Sequence, residues 1–260
     1  TNPIYTMIQS VGYQQTLVVF GTIFAIIGVL AALGMRMPTE HDALPAPTVT
    51  ASGRDTPPKD MLRTKVFWLM FVMMTMMSTG GLMIIVNFAP FSKDFGVANM
   101  MLYGWAALPL ALTVDRVTNG LTRPFFGWVS DHIGRENTMA VAFLLEAAAV
   151  SVMVYYRSDA LLFVTLSAVV FFGWGEIFSL FPSTLTDTFG AKYATTNYGF
   201  LYMAQGVGSV LGGPAAAYLH DVTGSWLPVF GLIVGLDALT AILALVALKP
   251  TRRAYLAKMA

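Results

Sequence analysis

The residues of this chain specify an all-α membrane protein, and three observations carry that reading. Of its 260 residues 56% are apolar and only 11% charged, against roughly a quarter charged in ordinary soluble domains. The apolar residues gather into runs of about twenty, the length at which a helix crosses a bilayer and about twice what a barrel strand needs. Only one of the intervening polar stretches is long, so most neighbouring helices are expected to lie antiparallel.

Seven spans are predicted. The first is about Tyr13–Leu33. A polar stretch from Gly34 to Lys65 follows, carrying Pro38, Pro45, Pro47, Pro57 and Pro58 among Thr, Ser and charged residues. That composition cannot build a core and reads as a linker. Six spans come next, about Val66–Phe88, Leu102–Val129, Met139–Tyr156, Leu161–Pro182, Tyr198–Leu219 and Trp226–Leu248. Their short connections predict one compact bundle with a tail over residues 250–260. The basic residues sort to one side. With the linker cytoplasmic, that side holds eleven Lys and Arg, among them Lys59, Arg63, Lys65, Arg135, Lys192, Lys249 and Arg252, and the other side only Lys93 and Arg157. The chain opens at Thr1 with no basic n-region before the first apolar run, so it reads as a piece of a longer protein.

Composition also excludes functions. There is no cysteine, hence no disulfide, thiolate ligand or cysteine nucleophile. A net charge of +1 and three scattered histidines, His41, His132 and His220, argue against nucleic acid and against a histidine metal site. No nucleophile, base and orienting group assemble, nor any phosphate-cradling loop, so the chain reads as no enzyme and needs no cofactor or metal. The sixteen methionines, several in Met70-Phe-Val-Met-Met-Thr-Met-Met77, are apolar filler.

Two cations remain inside the membrane, Arg116 and Arg123. A charge at that depth costs roughly 2.5–3.5 kcal/mol on insertion scales and marks a functional site by default. Seven residues apart, the two share one helical face with Asn119, Gly120 and Gly127. The planar guanidinium of Arg123 suits a carboxylate, whose two oxygens it can hold in a fork. The other reading makes both arginines structural, paired with intramembrane acids among Asp115, Glu146, Glu176 and Asp237. Glu176, in Phe171-Phe-Gly-Trp-Gly-Glu176, either carries a proton through a transport cycle or is the counter-ion of Arg116, which lies at similar depth. Tyr198, Tyr202, Gln205 and Ser209 form a polar and aromatic stripe facing a cavity, while Gly206, Gly208, Gly212, Gly213 and Pro214 serve close helix packing. At the end of the third span Gly127-Trp-Val-Ser-Asp131-His-Ile-Gly134-Arg135 predicts a tight turn needing glycine, with Asp131 and Arg135 in a local charge network.

That run resembles the loop motif of the major facilitator superfamily, in its second-half position. Three further stretches are similar to one branch, the oxalate:formate antiporter family: Met61-Leu-Arg-Thr-Lys-Val-Phe-Trp68, Asn119-Gly-Leu-Thr-Arg123-Pro-Phe-Phe-Gly-Trp128 and Phe181-Pro-Ser-Thr-Leu-Thr-Asp187-Thr-Phe-Gly190. The resemblance implies the end of a first half at residues 1–33, a cytoplasmic inter-half linker at 34–65, a six-helix second half at 66–249 and a cytoplasmic tail at 250–260. The implied protein is an inner-membrane carrier of small carboxylates, alternating access to a midplane site and completed by N-terminal spans. A proton-coupled monocarboxylate symporter and a non-transporting membrane receptor are the rival readings. In the family's oxalate carrier an arginine and a lysine clamp the dianion among aromatics. The arginine matches Arg123, and aromatic positions match Trp174 and Tyr202. A tyrosine is replaced here by Phe178, and the lysine by Gln205. One cation with a neutral amide balances a single negative charge, so a monoanion is the better electrostatic match unless Arg116 or the N-terminal spans supply a second cation.

Overall fold

The computed structural model describes residues Asn2–Met35 and Asp55–Met259. Most of the expected linker, with Arg36, His41 and Arg54, lies outside them. The chain divides into two compact units, residues 1–47 and 48–260.

In the first unit α1 (Asn2–Val11) and α2 (Tyr13–Gly34) meet at Gly12, whose φ of +85° suits a residue without Cβ. Apart from Thr16, whose hydroxyl donates to the Gly12 carbonyl at 2.7 Å, α2 buries no residue. A helix apolar on all sides must find lipid or partner helices.

The second unit opens with the short α3 (Pro58–Met61) and then builds its bundle from α4 (Lys65–Asp94), α5 (Ala107–Ile133), α6 (Arg135–Tyr155), α7 (Ala160–Trp174), α8 (Ile177–Phe189), α9 (Ala194–Thr223), α10 (Leu227–Leu243) and α11 (Lys249–Met259). A π-helical stretch, Ala244–Leu248, joins the last two, and residues 250–259 continue as helix. Side-chain caps set two starts: the Thr64 hydroxyl accepts from the Phe67 amide at 3.2 Å, and Asp159 accepts from the Leu162 amide at 2.9 Å. With α7 and α8 taken together, all seven predicted spans are helical. Among the described residues five helices are long and apolar enough to cross a membrane, α5 and α9 being too polar to qualify on that measure.

Several boundaries differ from the sequence reading: α4 runs on to Asp94 and α8 to Phe189, and two further differences bear on the site. Residues 101–106 form not helix but a hairpin, β1 (Met101–Leu102) against β2 (Trp105–Ala106), turning through Tyr103 and Gly104 at positive φ. At the other end α5 continues to Ile133, so the turn into α6 is Gly134 alone, at φ +89°. Gly127 therefore makes no turn; it is mid-helix, and a Cβ there would meet nothing within 4 Å.

Packing joins α4 to α9, α5 to α7, and α6 to α10. Glycine permits the first contact: a Cβ on Gly208 would press on Ser78 and Thr79, and one on Gly212 on the Thr79 carbonyl. Met61, Met70, Met73, Met74 and Met77 are fully buried among phenylalanines, filling the core as flexible apolar chains do.

Candidate functional site

Arg116, Asn119, Gly120, Arg123 and Gly127 lie along one side of α5, and none of them is buried within this chain. Among the described residues neither arginine makes a hydrogen bond or an ion pair. Arg123 instead lies over the Phe178 ring, 5.2 Å from its centroid, where the ring's negative face attracts the cation. The expected pairing of Arg116 with Glu176 is not formed. Glu176 is fully buried, and neither of its oxygens has a hydrogen-bond partner among the described residues.

The register of α5 against α7 accounts for that difference: Asp115 meets Ser167 and Thr122 meets Phe172, so Arg116 stands about two turns from the level of Glu176. Gly175 and Glu176 make a two-residue break between α7 and α8, though both keep right-handed helical dihedrals. Two α5 side chains serve carbonyls near the break: the Asn119 amide donates to Phe171 at 3.4 Å, and the Thr122 hydroxyl donates to Phe172. Gly175 lets α5 come this close, since a Cβ there would overlap Thr122 and Asn119. Gly173 likewise faces Ala142 and Glu146 on α6.

Two of the aromatic residues, Trp174 and Phe178, flank the break. Trp174 is buried, its indole N–H donating to the Met77 carbonyl of α4 at 3.0 Å, and Gly81 leaves it room, since a Cβ there would overlap the ring. The Trp174 ring meets Phe178 edge-on at 5.5 Å, Phe178 meets Tyr202 at 6.2 Å, and Tyr202 meets Tyr198 at 5.5 Å. Arg123, Phe178, Trp174 and Tyr202 thus form one array drawn from α5, α7, α8 and α9. Gln205 stands one turn beyond Tyr202, with its buried Oε1 unbonded among the described residues. Sequence reasoning missed the roles of Met77, Gly81 and Thr122. The Gly80-Gly81 pair inside an apolar helix was the available signal.

A cavity of about 440 Å³, its open mouth included, lies between α4, α5 and α7, lined by Asp115, Arg116, Asn119 and Trp174 with apolar Ile85, Phe88, Leu112 and Phe171. Deeper in the bundle Glu146 and Asp237 are also fully buried with unbonded oxygens. No group of three or more acids or histidines able to hold a metal occurs among the described residues.

At the Gly134 end the loop motif forms a network. Arg135 contacts Asp131 at 2.8 Å and Asp187 of α8 at 2.9 Å, and also donates to the Ser130 hydroxyl. Arg252 of α11 bonds Glu136 at 2.9 Å and Thr188 at 2.7 Å, while Lys249 donates to Asn137 at 2.7 Å. Asp187 belongs to the Phe181–Gly190 stretch, and its pairing with Arg135 follows only from the fold.

Known proteins are similar in sequence to this chain. The chain is 33% identical to the oxalate:formate antiporter of Oxalobacter formigenes, over 83% of its own length and 51% of the antiporter's. It is 26% identical to the uncharacterised MFS-type transporter YhjX of Escherichia coli (strain K12), over 78% and 49% respectively, and 26% identical to monocarboxylate transporter 13 of Rattus norvegicus, over 52% and 32%. The chain therefore spans about half the length of the first two relatives. The profile of the Major Facilitator Superfamily matches residues 110–258, taking in the α5 arginines, the broken α7–α8 pair, the aromatic array and the Arg135 network. With its helical bundle and apolar spans, the chain belongs to the Major Facilitator Superfamily of multi-pass membrane transporters.

Proposed function

We propose that this chain supplies the second half, and the last span of the first half, of a secondary carrier of small carboxylates. It works by alternating access, with exchange of one organic anion for another as the leading mode. The observation that carries the reading is Arg123: an unburied guanidinium without hydrogen bond or ion pair among the described residues, held over Phe178 at 5.2 Å beside Trp174 and Tyr202. Such a cation has its donors free for a carboxylate, and the aromatic walls limit the size of what it binds. Likeness to the oxalate:formate antiporter supports the substrate class. Gln205 supplies no charge, so monoanions such as formate are preferred over oxalate. In this reading residues 34–65 are the cytoplasmic linker between halves, the basic α11 is cytoplasmic, and the membrane is a bacterial inner one.

The test is uptake of labelled formate, oxalate, lactate and pyruvate into proteoliposomes holding the full-length carrier. Arg123→Gln is expected to lower carboxylate flux on the order of a hundredfold, as loss of a charge-assisted bidentate contact implies. Undiminished flux in that variant would remove the proposed anchor.

A proton-coupled symporter is the second reading, favoured by the buried Glu176, which has no cation beside it among the described residues. Likeness to a monocarboxylate transporter accords with it. An imposed pH gradient then drives uptake, and Glu176→Gln abolishes that response while leaving exchange intact. Uptake indifferent to the gradient in the unaltered carrier would end this reading.

A further inference from the structure

The Arg116 cavity is separate from the Arg123 array except for one shared wall, Trp174, which lines the first and meets Phe178 in the second. Its polar groups are incompletely bonded. Asp115 is only 4% exposed; one carboxyl oxygen accepts from the Ser167 hydroxyl at 3.2 Å, and the other, Oδ2, has no hydrogen-bond partner among the described residues. Arg116 carries five N–H donors and makes neither hydrogen bond nor ion pair among those residues. Every other lining side chain except Asn119 and Trp174 is apolar, and the Trp174 N–H is committed to Met77.

A buried carboxyl oxygen left unbonded is costly, and a guanidinium on the same cavity wall is a ready anion anchor. A ligand that answers both has a carboxylate for Arg116 and, a short reach away, a hydroxyl for Asp115. A hydroxyl both donates and accepts, so it serves Asp115 in either protonation state. Formate and oxalate carry no such group. We propose that the cavity between α4, α5 and α7 is a second binding station, taking a small hydroxycarboxylate with its carboxylate on Arg116 and its hydroxyl on Asp115. This rests on the carrier reading for the class of solute, but not on Arg123 as the anchor.

Glycolate and acetate differ by one hydroxyl and serve as probes, with binding followed by calorimetry on the detergent-solubilised full-length carrier. Glycolate is expected to bind on the order of tenfold more tightly than acetate, the scale of one buried hydrogen-bond partner gained. Asp115→Leu and Arg116→Gln should each erase that preference; the latter alters an unburied side chain, so the fold is not at stake. Arg123→Gln should keep the preference while losing flux. No preference in the unaltered carrier, its survival in both cavity variants, or its loss in Arg123→Gln would overturn the second station. Flux persisting in Arg123→Gln alongside an intact preference would sink the Arg123 reading and leave the station standing.

Discussion

In the proposed site Gln205 stands where the resemblance expects a lysine, and its amide adds no charge. The amide's buried Oε1 is unbonded among the described residues, and Arg123 is the one cation in the aromatic array. A dianion would therefore bring one negative charge that no cation of the array offsets, whereas a monoanion is matched by Arg123. Gln205→Lys adds that charge at similar length. The expected outcome is a rise in oxalate affinity relative to formate of at least tenfold, read by competition against labelled formate in proteoliposomes. An unchanged ratio would mean that Gln205 does not face the bound anion.

Among the elements, the α7–α8 break shapes the site, and its glycines can be tested directly. A Cβ at Gly175 would overlap Thr122 and Asn119, the two residues whose side chains serve the carbonyls before the break. Gly175→Val should cost about 1–3 kcal/mol by overpacking, lowering thermal stability in detergent, whereas valine at Gly127, where a Cβ meets nothing within 4 Å, should be far milder. Equal losses at both positions would show that α5 does not approach the break as described. This element also marks where sequence reasoning stopped. Runs of about twenty apolar residues located all seven helical spans, and helical spacing put Arg116 and Arg123 on one unburied side of α5, because both signals are local. Whether Glu176 and Arg116 lie level depends on the register of α5 against α7, a contact between helices far apart in the sequence. The seat of Trp174 required knowing that α4 passes alongside it, which no periodicity within one helix reveals.

Across the whole molecule, two arginines tie four helices at one end of the bundle, α6, α8 and α11 through consecutive residues and α5 through Asp131 and Ser130. Arg135 and Glu136 are neighbours on α6, and Asp187 and Thr188 are neighbours on α8. Arg135 reaches across to Asp187 at 2.9 Å, while Arg252 comes from α11 to hold Glu136 and Thr188 together. These side chains are nearly enclosed, Arg135 and Asp187 each 11% exposed and Arg252 and Glu136 13% and 9%, so solvent screens them little. Each clamp thus presupposes the α6–α8 spacing that the other maintains. Asp187→Asn and Glu136→Gln should each destabilise the protein by about 1–3 kcal/mol, since the first leaves Arg135 with Asp131 alone and the second leaves Arg252 with no ion pair among the described residues. In the double variant the second substitution acts on a spacing already relaxed, so the combined loss should fall short of the sum by 0.5 kcal/mol or more, roughly the coupling seen within shared networks. Thermal unfolding of the four proteins in detergent measures the difference. Strictly additive losses would separate the two clamps and leave Arg135 and Arg252 as independent local ties.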